Sequence, residues 1–192
     1  MRARFVTPAG ALVLACSLMT ACGSSGDGGT FRPAGRPQSA PPATSGAPAA
    51  DSAGAAPTGL TTAQIDKQVL ARYRAYQRAY ERAYETNSPA GLDAYAMDPL
   101  LSIIAADLRK NAAKGEIWRF HNVVNPRIQN RSQTGATVLV IDCLRTLAAH
   151  RYSAKTGKRL GSFRGGTRAY QAVVRYADGT WKISNATEGQ KC

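Results

Sequence analysis

Large apolar side chains are almost absent from Gly23 to about Gly59, where the chain consists mainly of Gly, Ser, Ala, Pro and Thr. A stretch of that kind cannot bury enough surface to offset the entropy of ordering it. Residues 22–59 therefore read as a disordered tether with a mean reach of roughly 30–35 Å. Whatever folds must be built from Leu60 to Cys192, which is 133 of the 192 residues once the first 59 are set aside. That length supports one domain around one core.

The segment before the tether has the form of an export signal. Arg2 and Arg4 precede the apolar run "VTPAGALVLACSLM", which at roughly 14 residues is too short to span a bilayer and fits a signal h-region. The run closes on "LMTAC" and the polar "GSSGDGG" follows. This resembles a bacterial lipoprotein signal, with 1–21 removed and Cys22 acylated as the first mature residue. Met19 stands where Leu is commoner, Cys16 after "VLA" is a weaker candidate, and plain secretion is the alternative. Each buried methylene contributes about 0.8 kcal/mol and one acyl chain alone binds marginally. The two or more chains of such lipoproteins suffice to hold the protein at the outer face of the cytoplasmic membrane.

Charge and cysteines bound the folded part further. Of the 25 Lys and Arg and 12 Asp and Glu, four and two precede Leu60, leaving 21 against 10, a net of +11. Outside the cell a basic surface meets anionic lipid headgroups, acidic envelope polymers or a protein partner rather than nucleic acid. The alternative is a high-pI domain whose charge serves solubility, and a homo-oligomer is compatible with either. With Cys16 cleaved off and Cys22 acylated, Cys143 and Cys192 remain, and in an oxidising compartment they are expected to pair. Cys192 is the last residue, so the bridge would staple a terminus that otherwise frays.

The stretch "YRAYQRAYERAY", residues 73–84, suggests at first a mixed aromatic and basic surface. Helical periodicity separates the two residue types. "TTAQ" forms a capping box with Thr61 as N-cap. At 100° per residue, Val69, Tyr73, Tyr76, Tyr80 and Tyr84 then fall within about 80°. Arg74, Arg78 and Arg82 fall opposite, with Glu81 and Glu85 among them as i, i+3 partners. The tyrosine side is expected to be buried, and its hydroxyls need partners. Two short helices are predicted next, one capped by Ser88 with Pro89, the other by Asp98 with Pro99 and closed by Gly115. Strands follow: "EIWRFHNVV", "ATVLVIDCL", a hairpin through "KTGKRLG", and two strands around the Asp178–Gly179 turn. The glycines of "GSFRGGTR" read as shaping a hairpin or bulge. Helices followed by an antiparallel sheet give an α+β domain.

These elements, with "VLVIDC", "KTGKRLG" and the closing "ADGTWKISNATEGQKC", resemble the nuclear transport factor 2-like (SnoaL-like) fold over residues 62–192. More narrowly they are similar to secreted actinobacterial lipoproteins with such a domain behind a low-complexity tether. The resemblance implies a curved sheet wrapping the first helix into a cone, its pocket lined by Tyr73, Tyr76, Tyr80, Tyr84, Trp118 and Asp142. It also implies a family of dehydratases, isomerases and epoxide hydrolases that use Asp, His or Tyr as acids and bases, beside binding-only members.

The residues themselves supply no catalytic set, metal-ligand cluster or dinucleotide fingerprint, and no cofactor is expected. If Trp118 and Phe120 face inward, alternation sends His121 outward. Asp142 shares a face with Val138 and Val140, as a pocket carboxylate or, the reading we favour, as the partner of an arginine. The expected function is a lipid-anchored, non-enzymatic binding or scaffolding module of the cell envelope. The alternative is a small dehydratase or isomerase.

Overall fold

The computed structural model describes residues 55–192. The expected signal segment 1–21, the expected lipidation site Cys22 and the expected tether as far as residue 54 lie outside the described residues. The first helix, α1 (Thr62–Thr86), starts as its sequence dictates: the Thr61 hydroxyl accepts from the Gln64 N–H and the Gln64 side chain accepts from the Thr61 N–H. It ends where Asn87 turns left-handed at φ 51° and donates its N–H to the Ala83 carbonyl. Val69 and the four tyrosines are buried, and Arg74, Arg78 and Arg82 are exposed. Glu81 and Glu85 do more than support their own helix. They reach across to the first strand, Glu81 to the Asn122 N–H and the His121 ring and Glu85 to Arg119.

The helix expected around Ser88 and Pro89 is absent. Residues 88–95 form turns, with the Leu92 N–H on the Pro89 carbonyl and Gly91 at φ 79°. A single turn has too few hydrogen bonds to offset its nucleation cost. This segment is held by the sheet instead, since Ile183 exchanges backbone bonds with Tyr95 and Met97. The second helix is α2 (Leu100–Ala113). Asp98 caps it by accepting from the Ser102 N–H at 3.0 Å, so the Asp-Pro signal marks the helix start even though the regular helix begins one residue later.

Five strands follow: β1 (Glu116–Val123), β2 (Arg127–Arg131), β3 (Thr137–Ser153), β4 (Arg159–Ala177) and β5 (Thr180–Glu188). All are antiparallel in the order β1-β3-β4-β5, and β2 pairs with the first part of the strand whose second part pairs with β1. The expected strand "ATVLVIDCL" and the first arm of the hairpin through "KTGKRLG" are one long β3, paired with β4 along nearly its whole length. Asp178 (φ 52°) and Gly179 (φ 73°) make the tight turn into β5. The sheet curls around α1, and its concave face supplies Val138, Val140, Leu144, Ala172, Val174 and Ile183 to one core with the tyrosines.

Gly165 lets the two long strands bend together. A Cβ there would lie 2.0 Å from the Thr146 carbonyl oxygen and 2.1 Å from that of Leu147. The backbones approach too closely for any side chain, which gives the glycines of "GSFRGGTR" the shaping role expected of them. At the end of the chain, Cys143 and Cys192 are bridged with their Cα atoms 6.0 Å apart. Ala169 extends the pairing by bonding to Gly189 and Gln190. The terminus is stapled as the cysteine count implied.

Candidate functional site

The stripe of α1 divides into two parts on the concave face. Tyr76, Tyr80 and Tyr84 form an aromatic cluster with Phe120 of β1, with ring centroids 4.9–5.9 Å apart. Their exposure is 0, 2 and 0 %. The Tyr84 hydroxyl donates to Asp107 of α2 at 2.7 Å, which ties the two helices together. Burial, with Tyr80 and Asp107 close by, pushes that phenol far above its ordinary range, so it stays protonated.

Tyr73 belongs to a polar network. Its hydroxyl donates to Asp142 Oδ2 at 3.0 Å and accepts from Gln77 Nε2 at 3.2 Å. The Gln77 carbonyl oxygen accepts from Asn122 Nδ2 at 3.1 Å, and Asn122 Oδ1 accepts from the Thr146 hydroxyl at 2.8 Å. The other Asp142 oxygen accepts from the Asn125 N–H at 2.9 Å. Gln77, Asn122 and Asp142 are all buried. The network therefore runs from α1 to β3 and to the end of β1, inside the curl of the sheet. Burial raises the Asp142 carboxyl above the ordinary carboxylate range. The Asn125 and Tyr73 hydrogen bonds and the charges of Arg74 and Arg127 oppose the shift. Tyr73 is pushed well above its ordinary range, mainly by burial, with Tyr170 and Asp142 adding to it.

Strand register extends the row beyond Asp142. Asp142 pairs with Tyr170 and Tyr170 with Glu188, so the three stand side by side on the concave face. Tyr170 packs against Tyr73 with ring centroids 6.2 Å apart, and Arg168 approaches Glu188 at 3.6 Å. Asp142 and the Tyr73 and Tyr170 phenols thus meet beside α1, with Glu188 next in register on β5. The hydrogen-bond partner of Asp142 is a tyrosine, and the arginines act on it through their charge. That differs from the arginine pairing favoured from the sequence, because the Tyr73 hydroxyl and the Asn125 N–H already take the two carboxylate oxygens.

Trp118 does not join this group. It half-buries its ring against Phe163, 5.1 Å away, beneath the Arg151 guanidinium. Its partner on β3 is Arg151, nine residues from Asp142, or about 30 Å along the strand. The six residues expected to line one pocket are thus brought together as Tyr73 with Asp142 and as the Tyr76–Tyr80–Tyr84 cluster, with Trp118 at the far end. His121 is exposed, as alternation predicted.

Surface clefts among the described residues include three. One of about 610 Å³ adjoins the start of α2, at Asp93, Asp98 and Ser102. A second, of about 270 Å³, lies between Arg78, Arg82 and Arg119 with Glu81 and Glu85. The third, of about 590 Å³, is aromatic, with Tyr95, Tyr176 and Trp181. None of the three is lined by Asp142 or by a tyrosine of the stripe.

Sequence reasoning missed Gln77, Asn122 and Thr146. Two of them carried a signal. Gln77 lies four residues after Tyr73, just beyond the tyrosine arc, and Asn122 continues the inward alternation of Trp118 and Phe120. Thr146 carried none, because its role depends on the bend in the sheet.

No protein-family model matches the chain, and no curated protein matches it. Solved structures share its fold. The intermembrane space region of the chloroplast protein ARC6 superposes with a TM-score of 0.55 at 14 % identity, over 69 % of this chain and 99 % of that one. A candidate dehydratase of the NTF2-like family from Streptomyces avermitilis gives 0.47 at 10 % identity, over 66 % and 99 %. The protein Aln2 from a Streptomyces species gives 0.44 at 14 %, over 68 % and 93 %. At these identities the likeness concerns the fold alone. The domain is α+β, its helices packed in a curved antiparallel sheet, the layer arrangement expected from the sequence.

Proposed function

We propose that the domain is a non-enzymatic binding or scaffolding module of the cell envelope, held by a lipid on Cys22 at the outer face of the cytoplasmic membrane. Its tether lifts a basic surface clear of the bilayer, where it engages anionic headgroups or acidic polymers. The observation that carries this reading is the filling of the interior. Tyr73, Tyr76 and Tyr84 have no exposed surface and Tyr80 has 2 %, so aromatic rings occupy the space a catalytic cone keeps open. The side of α1 that does meet solvent carries Arg74, Arg78 and Arg82.

Sedimentation of the unacylated chain (Cys22→Ala) with anionic vesicles tests this reading. Binding should weaken as salt rises, because exposed charges are screened beyond about 10 Å at 0.1 M. Reversing Arg74, Arg78 and Arg82 to Glu should abolish it without unfolding the domain. Salt-independent binding, or binding unchanged by the reversal, would count against this surface.

The Asp142–Tyr73 pair favours a second reading, a small dehydratase or isomerase. A carboxyl held above its ordinary range beside a protonated phenol can take a proton and stabilise the charge that develops. This reading requires a ligand to displace the Tyr73 or Asn125 bond. Mass spectrometry of the purified protein, with and without Asp142→Asn, distinguishes the two: a small molecule retained by the wild type and lost from the variant favours the enzyme.

A further inference from the structure

From Cys143 to Ala177, along the second part of β3 and nearly all of β4, the chain carries eight Lys and Arg and no Asp or Glu. Taking these from the 21 and 10 of the folded part leaves 13 against 10, so this one stretch supplies eight of the net charge of +11. Two of the eight are met by carboxylates from other strands, Arg151 by Glu116 at 3.4 Å and Arg168 by Glu188 at 3.6 Å. Arg145, Arg159 and Arg164 are exposed, and among the described residues none of the three has an ion pair.

Register puts these three arginines on one side of the sheet. Val140, Asp142 and Leu144 face the concave core, so Arg145, next in alternation, faces away from it. Farther along, Phe163 meets Trp118 on the core side and pairs with the buried Ala149, so the neighbouring pair of Arg164 with Ala148 faces outward. Arg151 lies over Trp118, whereas Arg119, which alternates with Trp118, lies over the Tyr152 ring at 4.9 Å. The pair of Tyr152 with Arg159 is therefore outward as well. Along β3 the Arg145 and Arg164 pairs are three residues apart and the Arg164 and Arg159 pairs four, or about 10 and 13 Å. Leu147, 46 % exposed, lies between the first two, and the His150 and Tyr152 rings accompany the third.

A row of unpaired arginines about 23 Å long fits an anion that recurs along a line better than one compact anion. Apolar and ring surfaces set among the charges suit a chain of sugar rings. Its C–H faces can pack on leucine and aromatic side chains while its carboxylates take the guanidinium forks. The tip of the arm argues against a bilayer. Ala154, Lys155, Thr156, Gly157 and Lys158 are all exposed and include no large apolar side chain that could enter an acyl layer. We propose that the outward face of the β3–β4 arm binds a linear carboxylated polysaccharide, which lies along the strands from Arg145 to Arg159. This deepens the reading of the domain as an envelope-binding module and rests on that reading for where such a polymer is met.

The test is calorimetric titration of the unacylated chain (Cys22→Ala) with polygalacturonate at low salt. Two variants lose the same charge, one with Arg145, Arg159 and Arg164 changed to Gln and one with Arg74, Arg78 and Arg82 changed to Gln. Thermal unfolding checks that both are folded. The arm variant should lose affinity by at least about tenfold and the helix variant by less than about threefold. Equal losses would mean attraction to net charge alone and would overturn the proposal, as would a wild type that does not bind the polymer. Polyglutamate, which has carboxylates but no sugar rings, should bind at least about fivefold more weakly than polygalacturonate, and equal binding would overturn the assignment to a polysaccharide. Anionic vesicles should bind the arm variant as they bind the wild type, and vesicle binding lost with the arm would make this face a membrane contact and overturn the proposal. The helix variant alone decides the vesicle reading, so the two readings fail separately.

Discussion

Removing one oxygen atom from the middle of the polar network should cost more than its size suggests. Tyr73→Phe keeps the ring but leaves Asp142 Oδ2 without its 3.0 Å donor and Gln77 Nε2 without its 3.2 Å acceptor. Both groups are buried. An unsatisfied buried polar group costs roughly 1–3 kcal/mol, so two of them, after some relaxation, imply about 3 kcal/mol. With a urea m-value near ~2 kcal/mol/M, the unfolding midpoint should fall by about 1.5 M. Pairing the change with Asp142→Ala separates the bond from the packing. The double variant should be less destabilised than the sum of the singles by about 1.5–3 kcal/mol, the range for a hydrogen bond to a charged group. If Tyr73→Phe costs below about 0.5 kcal/mol and the two changes add, the network contributes nothing to stability and this account of the site is wrong.

Three further outcomes follow from the structure. Asp142 has a raised carboxyl, so its contribution to stability is fully present below the ordinary value near 3.8 and is lost as pH rises through the raised one; the stability of the wild type relative to Asp142→Asn should fall over that interval and level off above it, and a rise would reverse the assigned sign. Reducing the Cys143–Cys192 bridge, which closes a loop of 49 residues, should cost about 4 kcal/mol and lower Tm by roughly 10–15 °C; an unchanged Tm would mean that the terminus is held without it. Gly165→Ala should cost about 3 kcal/mol or more, since its methyl would lie 2.0 Å from a backbone oxygen, whereas a neutral result in thermal unfolding would show that the sheet can open there freely.

Periodic elements were the legible part of the sequence. Val69 and the tyrosines of α1 showed their buried side because a 25-residue helix repeats its face many times, and the Asp178–Gly179 turn declared itself through two residues that tolerate positive φ. The failures have local causes. Ser88 and Pro89 carry helix-start chemistry, yet Gly91 and the backbone bonds of Tyr95 and Met97 to Ile183 prevail over it. β2 is five residues long with one half-buried side chain, so it had almost no alternation to read. The partnership of Asp142 with Tyr73 joins positions 69 residues apart, and only the curl of the sheet over α1 selects it over an arginine. The Cys143–Cys192 bridge was legible at long range because these are the two cysteines of the segment expected to fold.

The central claim is that the tyrosine side of α1 is core and the arginine side is a solvated face. Urea unfolding of Tyr80→Ala beside Arg78→Ala tests it most directly. Tyr80 is 2 % exposed and packs against Tyr76, Tyr84 and Phe120, so its truncation should cost about 3–5 kcal/mol. Arg78 is exposed, and its loss should cost a few tenths of a kcal/mol at most. Equal and negligible costs, or a tyrosine change that spares stability while abolishing a bound ligand, would make the stripe a pocket wall and contradict the account.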